Sequence, residues 1–88
     1  MANFDTSHTK MDSVRDAVDL LDRIRALYVH AKEMQTLLAR YQAGTDATFN
    51  AAANALFTSA ERTELGQMLS QVNTLITDWE ANHPWITT

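Results

Sequence analysis

Histidine and carboxylate side chains are the groups in this sequence that could serve a metal site or acid-base catalysis. The three histidines, His8, His30 and His83, are far apart. His30 and Glu33 are three residues apart, but their order is the reverse of the Glu-x-x-His pairs of di-iron bundles and the pair occurs once. The chain has no cysteine, so thiolate ligands and disulfides are excluded. We therefore expect no metal site.

Catalytic motifs are equally absent. Asp78 and Glu80 flank Trp79, but successive helical residues point about 100° apart, so the two carboxylates cannot converge on one substrate. No serine lies in a nucleophile-elbow context, and Gly44 and Gly66, the only glycines, do not form a phosphate-binding loop. We expect a protein that is not an enzyme and that uses no cofactor.

Length and charge restrict the possible partners. The chain has 88 residues, a net charge of -4 and a pI near 5.1. Such a chain forms one small domain of marginal stability, for which oligomerisation is a common remedy. Its acidity argues against nucleic acid and anionic membranes as partners. No apolar run reaches the roughly 20 residues that span a bilayer, and no secretory signal is seen, so we expect assembly in the cytoplasm.

The elements that would position any functional surface are helices. From about Ser13 to Tyr41 no proline or glycine interrupts the chain, and apolar residues recur at alternating spacings of three and four, which predicts one long amphipathic helix. Asp12 or Ser13 is the expected N-cap. The predicted heptad seam consists of Ala17, Leu20, Ile24, Leu27, Ala31, Met34, Leu38 and Tyr41.

A second apolar set widens this stripe. Its members are Val14, Val18, Leu21 and Tyr28, with Val29 and Leu37 as further candidates. One partner helix cannot easily cover so broad a stripe. Either the rest of the chain folds over both sides, or part of the stripe is a surface between subunits.

The second half of the chain predicts two more helices. Gly44 suits the end of the first helix, and Thr45 or Asp46 can cap a short alanine-rich helix that ends near Leu56 or Phe57. Phe49, Leu56 and Phe57 are expected to plug the end of the hairpin.

Thr58 and Glu61 match a capping box for a third helix. The third helix should end near Asn82, because Pro84 disfavours helix at His83; its apolar residues are Leu65, Met68, Val72, Leu75 and Trp79, widened by Leu69 and Ile76.

The predicted fold is therefore all-α: a long antiparallel helical hairpin with a short connecting helix, completed by oligomerisation. Residues 1–11 are expected to form a flexible N-terminal arm, 12–83 the helical domain, and 84–88 an apolar tail. Phe4 in the arm, and Trp85 and Ile86 in the tail, are large apolar residues at the termini. Together with Val14, Val18, Leu21 and Tyr28, they are the interface candidates, although Trp85 and Ile86 could instead fold back on the core.

A block of residues in the C-terminal half carries a family resemblance. These residues are Leu37, Arg40, Tyr41, Gly44, Thr45, Asp46, Phe49, Asn50, Ala51, Ala52, Asn54, Ala55, Leu56, Phe57, Thr58, Glu61, Arg62, Leu65, Asp78, Trp79, Glu80, Asn82 and His83. The block resembles small helical proteins encoded in the structural modules of tailed bacteriophages. This resemblance implies a virion-associated protein that is present in many copies and works by contact. It does not extend to the arm or to the first half of the long helix.

The expected function is a capsid decoration or cement protein of the virion, with head-to-tail joining or tail assembly as a close variant. Its expected partners are further copies of itself and a larger structural protein such as a capsid protein. The alternative is a small helical inhibitor or adaptor that binds a host or phage enzyme through the same apolar stripe.

Overall fold

The computed structural model describes residues 10–88, and in that range the chain forms three α-helices and no strand. Helix α1 comprises Lys10–Ala43, α2 comprises Ala47–Leu56 and α3 comprises Ser59–Asn82. A short 3₁₀ turn, Pro84–Ile86, follows α3. The all-α prediction is confirmed.

The turn between α1 and α2 follows from its residue types. Helix α1 starts before the predicted cap and ends at Ala43, and Gly44 adopts a positive φ of 67°, which glycine tolerates without strain. Asp46 is the N-cap of α2, where its carboxylate accepts a 3.0 Å hydrogen bond from the N–H of Phe49. The chain therefore leaves one helix and enters the next with both ends satisfied.

The ends of α3 match the prediction. Thr58 Oγ1 accepts a hydrogen bond from the N–H of Glu61, and the Glu61 carboxylate accepts one from the N–H of Thr58. This capping box satisfies two donors that the first turn of the helix leaves free. At the other end, α3 stops at Asn82, two residues before Pro84.

The core lies between α1 and α3. Ala31, Val72 and Ile76 form a buried cluster, and Tyr28 and Trp79 pack against it. The two aromatic rings meet edge to face, with centroids 6.3 Å apart, an arrangement that aromatic pairs prefer. Burial of this cluster joins the two long helices.

Half of the predicted seam of α1 does not face this core. Leu20, Leu27 and Met34 are exposed, whereas Leu21 and Tyr28, placed beside the seam by the sequence pattern, are half-buried. The reason is that the apolar stripe is wider than one partner helix. Since α3 packs on the side of Tyr28, the other side of the stripe is left uncovered.

In helix α3, too, the side that faces the core is rotated away from the predicted seam. Met68 and Leu75, predicted for its seam, are exposed, while Leu69 is half-buried and Ile76 is only 2% exposed. The exposed members of both seams therefore lie outside the core. Helix α3 also approaches α1 closely near Gly66, where a Cβ atom would lie 3.2 Å from Gln42 Nε2.

The N-terminal end of α1 extends beyond α3. Helix α1 has 34 residues and α3 has 24, so at 1.5 Å per residue they are about 51 and 36 Å long. The last turn of α3 reaches Tyr28 through Glu80, and the backbone of Trp85 reaches Arg25. We call residues 10–20 of α1, which precede these contacts, the overhang.

Candidate functional site

The side chains that could serve catalysis or metal binding either make structural contacts or lie apart from one another. Asp78 accepts a hydrogen bond from Asn82, and Glu80 accepts one from Tyr28. Among residues 10–88, no group of three metal-ligating side chains is close enough to hold an ion. His8 lies outside the described residues. The candidate functional sites among residues 10–88 are therefore apolar surfaces.

One apolar surface is a groove between the three helices. Its volume is about 690 Å³, and a second depression of about 230 Å³ adjoins it and shares Met34 and Met68 with it. We call the two together the groove. Its apolar lining includes Met34, Leu37, Phe49, Leu56, Phe57, Met68 and Leu75.

Polar contacts at the loop hold α2 in place as the end wall of the groove. Arg40 forms an ion pair with Asp46, and its guanidinium carbon lies 4.1 Å from the centroid of the Phe49 ring. Asn50 Nδ2 donates a 3.0 Å hydrogen bond to the carbonyl oxygen of Tyr41. A helix of 10 residues would be marginal alone, so these contacts to α1 fix its position.

The hydrogen bond from Arg40 lowers the pKa of Asp46 most, and the N–H of Phe49 lowers it further. Both partners favour the charged carboxylate. The ionised form of Asp46 is therefore the form that the contacts of this loop stabilise.

The predicted plug at the end of the hairpin is only partly present. Phe49 is half-buried, but Leu56 is 80% exposed and Phe57 is also exposed. The reason is that α2 covers one end of α1 and leaves its own C-terminal turn beside open solvent. These two side chains enlarge the groove instead of closing it.

The overhang is a second apolar surface. Met11, Val14 and Val18 follow the three- and four-residue spacing of a heptad seam, and each is more than half exposed. Charges of both signs flank them, including the ion pairs Asp12–Arg15 and Asp19–Arg23. The predicted interface residues Val14 and Val18 are therefore available for contact.

Three other interface candidates are used within the chain. Leu21 and Tyr28 are half-buried, and Ile86 is only 7% exposed. Ile86 is buried because the 3₁₀ turn brings the tail back toward α1, where Arg25 Nε donates a 3.0 Å hydrogen bond to the carbonyl oxygen of Trp85. Little of Ile86 is left for contact with another chain.

The two remaining interface candidates are Trp85 and Phe4. The Trp85 side chain keeps about half of its surface exposed, at 49%. Phe4 lies outside the described residues. Trp85 is therefore the one tail residue that offers a large apolar surface.

Sequence reasoning missed the groove as a site. The sequence pattern places its members in helix seams and at the end of the hairpin, because a linear pattern does not show which side of a wide stripe a partner helix covers. The available signal was the width of the stripe, with Leu37 beside the predicted seam. The structure brings Leu37, Met34 and Met68 to one surface.

Comparison with models of protein families, with curated proteins and with solved structures found no match to this chain. Within residues 10–88, none of the helices is both long and apolar enough to cross a membrane. A role for the groove and the overhang must therefore be inferred from their shape, exposure and charge.

Proposed function

We propose that this protein is a non-enzymatic structural component of a tailed-phage virion that decorates or cements the capsid through helix-mediated contacts. Head-to-tail joining or tail assembly is a close variant. The assignment to a phage virion depends on the resemblance of the C-terminal half. The contact mechanism depends on one observation: among the described residues, thirteen large hydrophobic side chains are exposed and six hydrophobic residues are buried.

Such an excess of exposed apolar groups is typical of a chain that completes its packing with other chains. Monomeric proteins rarely expose large contiguous apolar patches. A domain this small also gains little stability from its own core. Contact between copies would bury surface that the chain cannot cover by itself.

The proposed architecture is a long antiparallel helical hairpin. Two contacts support it: Tyr28 bonds to Glu80, and Gln35 Nε2 bonds to Asn73 Oδ1 at 2.7 Å. The partner number falls as the α1 number rises, as expected for helices running in opposite directions. The overhang then projects from the open end of the hairpin.

Self-association through the overhang completes this architecture. Met11, Val14 and Val18 of one copy pack against the same residues of a second copy, with the two helices antiparallel about a twofold axis. A twofold contact uses the same surface on both subunits. The mixed charges beside the seam permit pairs of opposite sign across it.

The solution mass of the purified full-length protein tests self-association. Light scattering at micromolar concentration should give a dimer or a higher oligomer. Val18→Asp should give the monomer mass, because it places charges in the seam. The matched control is Ala26→Asp, which adds the same charge at an exposed site of α1 outside the overhang. A monomeric wild type would contradict this part of the proposal.

Copy number in purified phage particles tests the virion assignment. A capsid-associated component should be present at a fixed, high number of copies per particle, measured by quantitative mass spectrometry. Absence from particles, with expression early in infection, would contradict the virion assignment. It would favour the alternative of an inhibitor or adaptor, for which the groove provides a surface.

A further inference from the structure

The groove has the length and lining that suit a bound helix. On α3 its lining extends from Glu61 to Leu75, which is about 21 Å along the helix, or about four turns. Met34 and Met68 lie where the two depressions join, and methionine side chains adapt to the shape of a ligand. An amphipathic helix that places apolar residues at i, i+3 or i+4, and i+7 fits such a surface.

The charge of the groove has one sign. Three carboxylates, those of Glu33, Glu61 and Glu64, line it together with the imidazole of His30, and its described lining contains no lysine or arginine. The ion pairs found among residues 10–88 involve other carboxylates. Glu33 and Glu64 therefore present negative charge to whatever occupies the groove, together with Glu61, whose Oε1 also accepts the hydrogen bond from the N–H of Thr58.

We propose that the groove binds an amphipathic helix of a different protein, with basic residues flanking the apolar face of that helix. Lysine or arginine on the occupant would pair chiefly with Glu33 and Glu64 while its apolar side chains contact Leu37, Leu56 and Met68. This inference rests on the proposed function only in that the protein acts through protein contacts.

A second copy of this chain fits the groove less well. The chain carries a net charge of -4, and its exposed overhang contains Asp12, Asp16 and Asp19 against Lys10 and Arg15. Docking the overhang in the groove would place like charges together, which opposes association. Charge complementarity therefore selects a basic partner.

Two synthetic helical peptides test the preference for basic charge. Each has 14 residues and leucine at positions 1, 4, 8 and 11; one carries lysine and glutamine elsewhere, and the other glutamate and glutamine. Binding of the fluorescein-labelled peptides to the full-length protein is measured by fluorescence polarisation at low salt. The lysine peptide should bind at least about tenfold more tightly, and added salt should reduce the difference.

A double variant that removes two carboxylates tests whether the peptide binds in the groove. Glu33→Gln combined with Glu64→Gln should weaken binding of the lysine peptide by about three- to tenfold, because two surface charge pairs are lost. The matched control is Asp22→Asn with Asp78→Asn, which removes the same charge outside the groove and should change the affinity less than about twofold. Circular dichroism checks that both variants remain folded.

Three results would overturn this inference. They are no binding of the lysine peptide, equal affinity for the two peptides, and equal weakening by the two double variants. Loss of self-association in Leu37→Glu would also overturn it, because the occupant would then be a second copy. Failure of the proposed virion function is read separately, from the solution mass and from particle composition.

Discussion

The Tyr28 hydroxyl donates a 2.6 Å hydrogen bond to Glu80 Oε2 and so joins α1 to α3 across 52 residues of sequence. The bond raises the pKa of Tyr28, with smaller contributions from burial and from the negative charge of Glu80. Lys32 Nζ lies 3.7 Å from the same carboxylate oxygen. Tyr28, a predicted interface residue, therefore makes its main polar contact within its own chain.

The same contact determines which side of α1 meets α3. With Tyr28 against Glu80 and Trp79, the neighbouring Leu27 is turned away and is more than half exposed. The wide apolar stripe is thereby divided into a core side and an uncovered side. Substitutions on the two sides should have different consequences.

The strongest difference is expected between two adjacent residues of α3. Ile76 is 2% exposed in the core, and Leu75 is 42% exposed. Ile76→Ala should lower the free energy of unfolding by about 2 to 4 kcal/mol, because it leaves a cavity beside Ala31 and Val72. Leu75→Ala should lower it by less than about 1 kcal/mol. Urea unfolding followed by circular dichroism measures both, and equal losses would show that the core side is wrongly assigned.

A charge placed in α1 should separate the same two sides. We expect Ile24→Asp to unfold the protein, since Ile24 is half-buried and the aspartate would lack a partner there. Leu27→Asp, at an exposed position of the same predicted seam, should leave the fold intact. The far-ultraviolet circular dichroism spectrum reports the outcome, and a folded Ile24→Asp variant would contradict the assignment.

Local features of the fold could be predicted from the sequence because they depend on neighbouring residues. The positive φ of Gly44 and the capping box of Thr58 and Glu61 each follow from residue types a few positions apart. The cap of α2 is Asp46, one of the two predicted candidates, Thr45 and Asp46. The end of α3 at Asn82 follows in the same way from Pro84.

The rotation of the helices could not be predicted, because it depends on packing between distant segments. Leu20 and Leu21 are equally apolar, and only the way in which distant segments pack on α1 decides that Leu21 is the more buried. The burial of Ile86 likewise depends on the fold of the tail against α1. The groove results from the packing of the helices, so the sequence pattern alone does not bring its lining residues together.

Acid should weaken the attachment of α2 through Asp46. The pKa of this carboxyl is lowered in the folded protein from its ordinary value of 3.8. Its contribution to stability is therefore complete above about pH 5 and is lost as the pH falls through the lower folded value. Asp46→Asn can still accept a hydrogen bond but removes the charge that pairs with Arg40.

Thermal unfolding measured between pH 2 and 6 tests this dependence. The wild type should lose more stability on acidification than Asp46→Asn does. The effect concerns one exposed ion pair, so it should be small and should shrink with added salt. The same acid dependence in both proteins would mean that other carboxyls account for all of it.

The tail contains two adjacent residues with opposite roles. Trp85 is held through its backbone by Arg25 and keeps half of its side chain exposed, whereas Ile86 is buried. Trp85→Ala should therefore leave the unfolding midpoint of the isolated protein nearly unchanged. Under the proposed virion function, it should weaken attachment of the protein to phage particles. Ile86→Ala should lower the free energy of unfolding by about 2 kcal/mol. Differential scanning calorimetry measures the stability of both variants, and rebinding to phage particles stripped of the protein measures attachment. A large loss of stability in Trp85→Ala would show that this side chain belongs to the core.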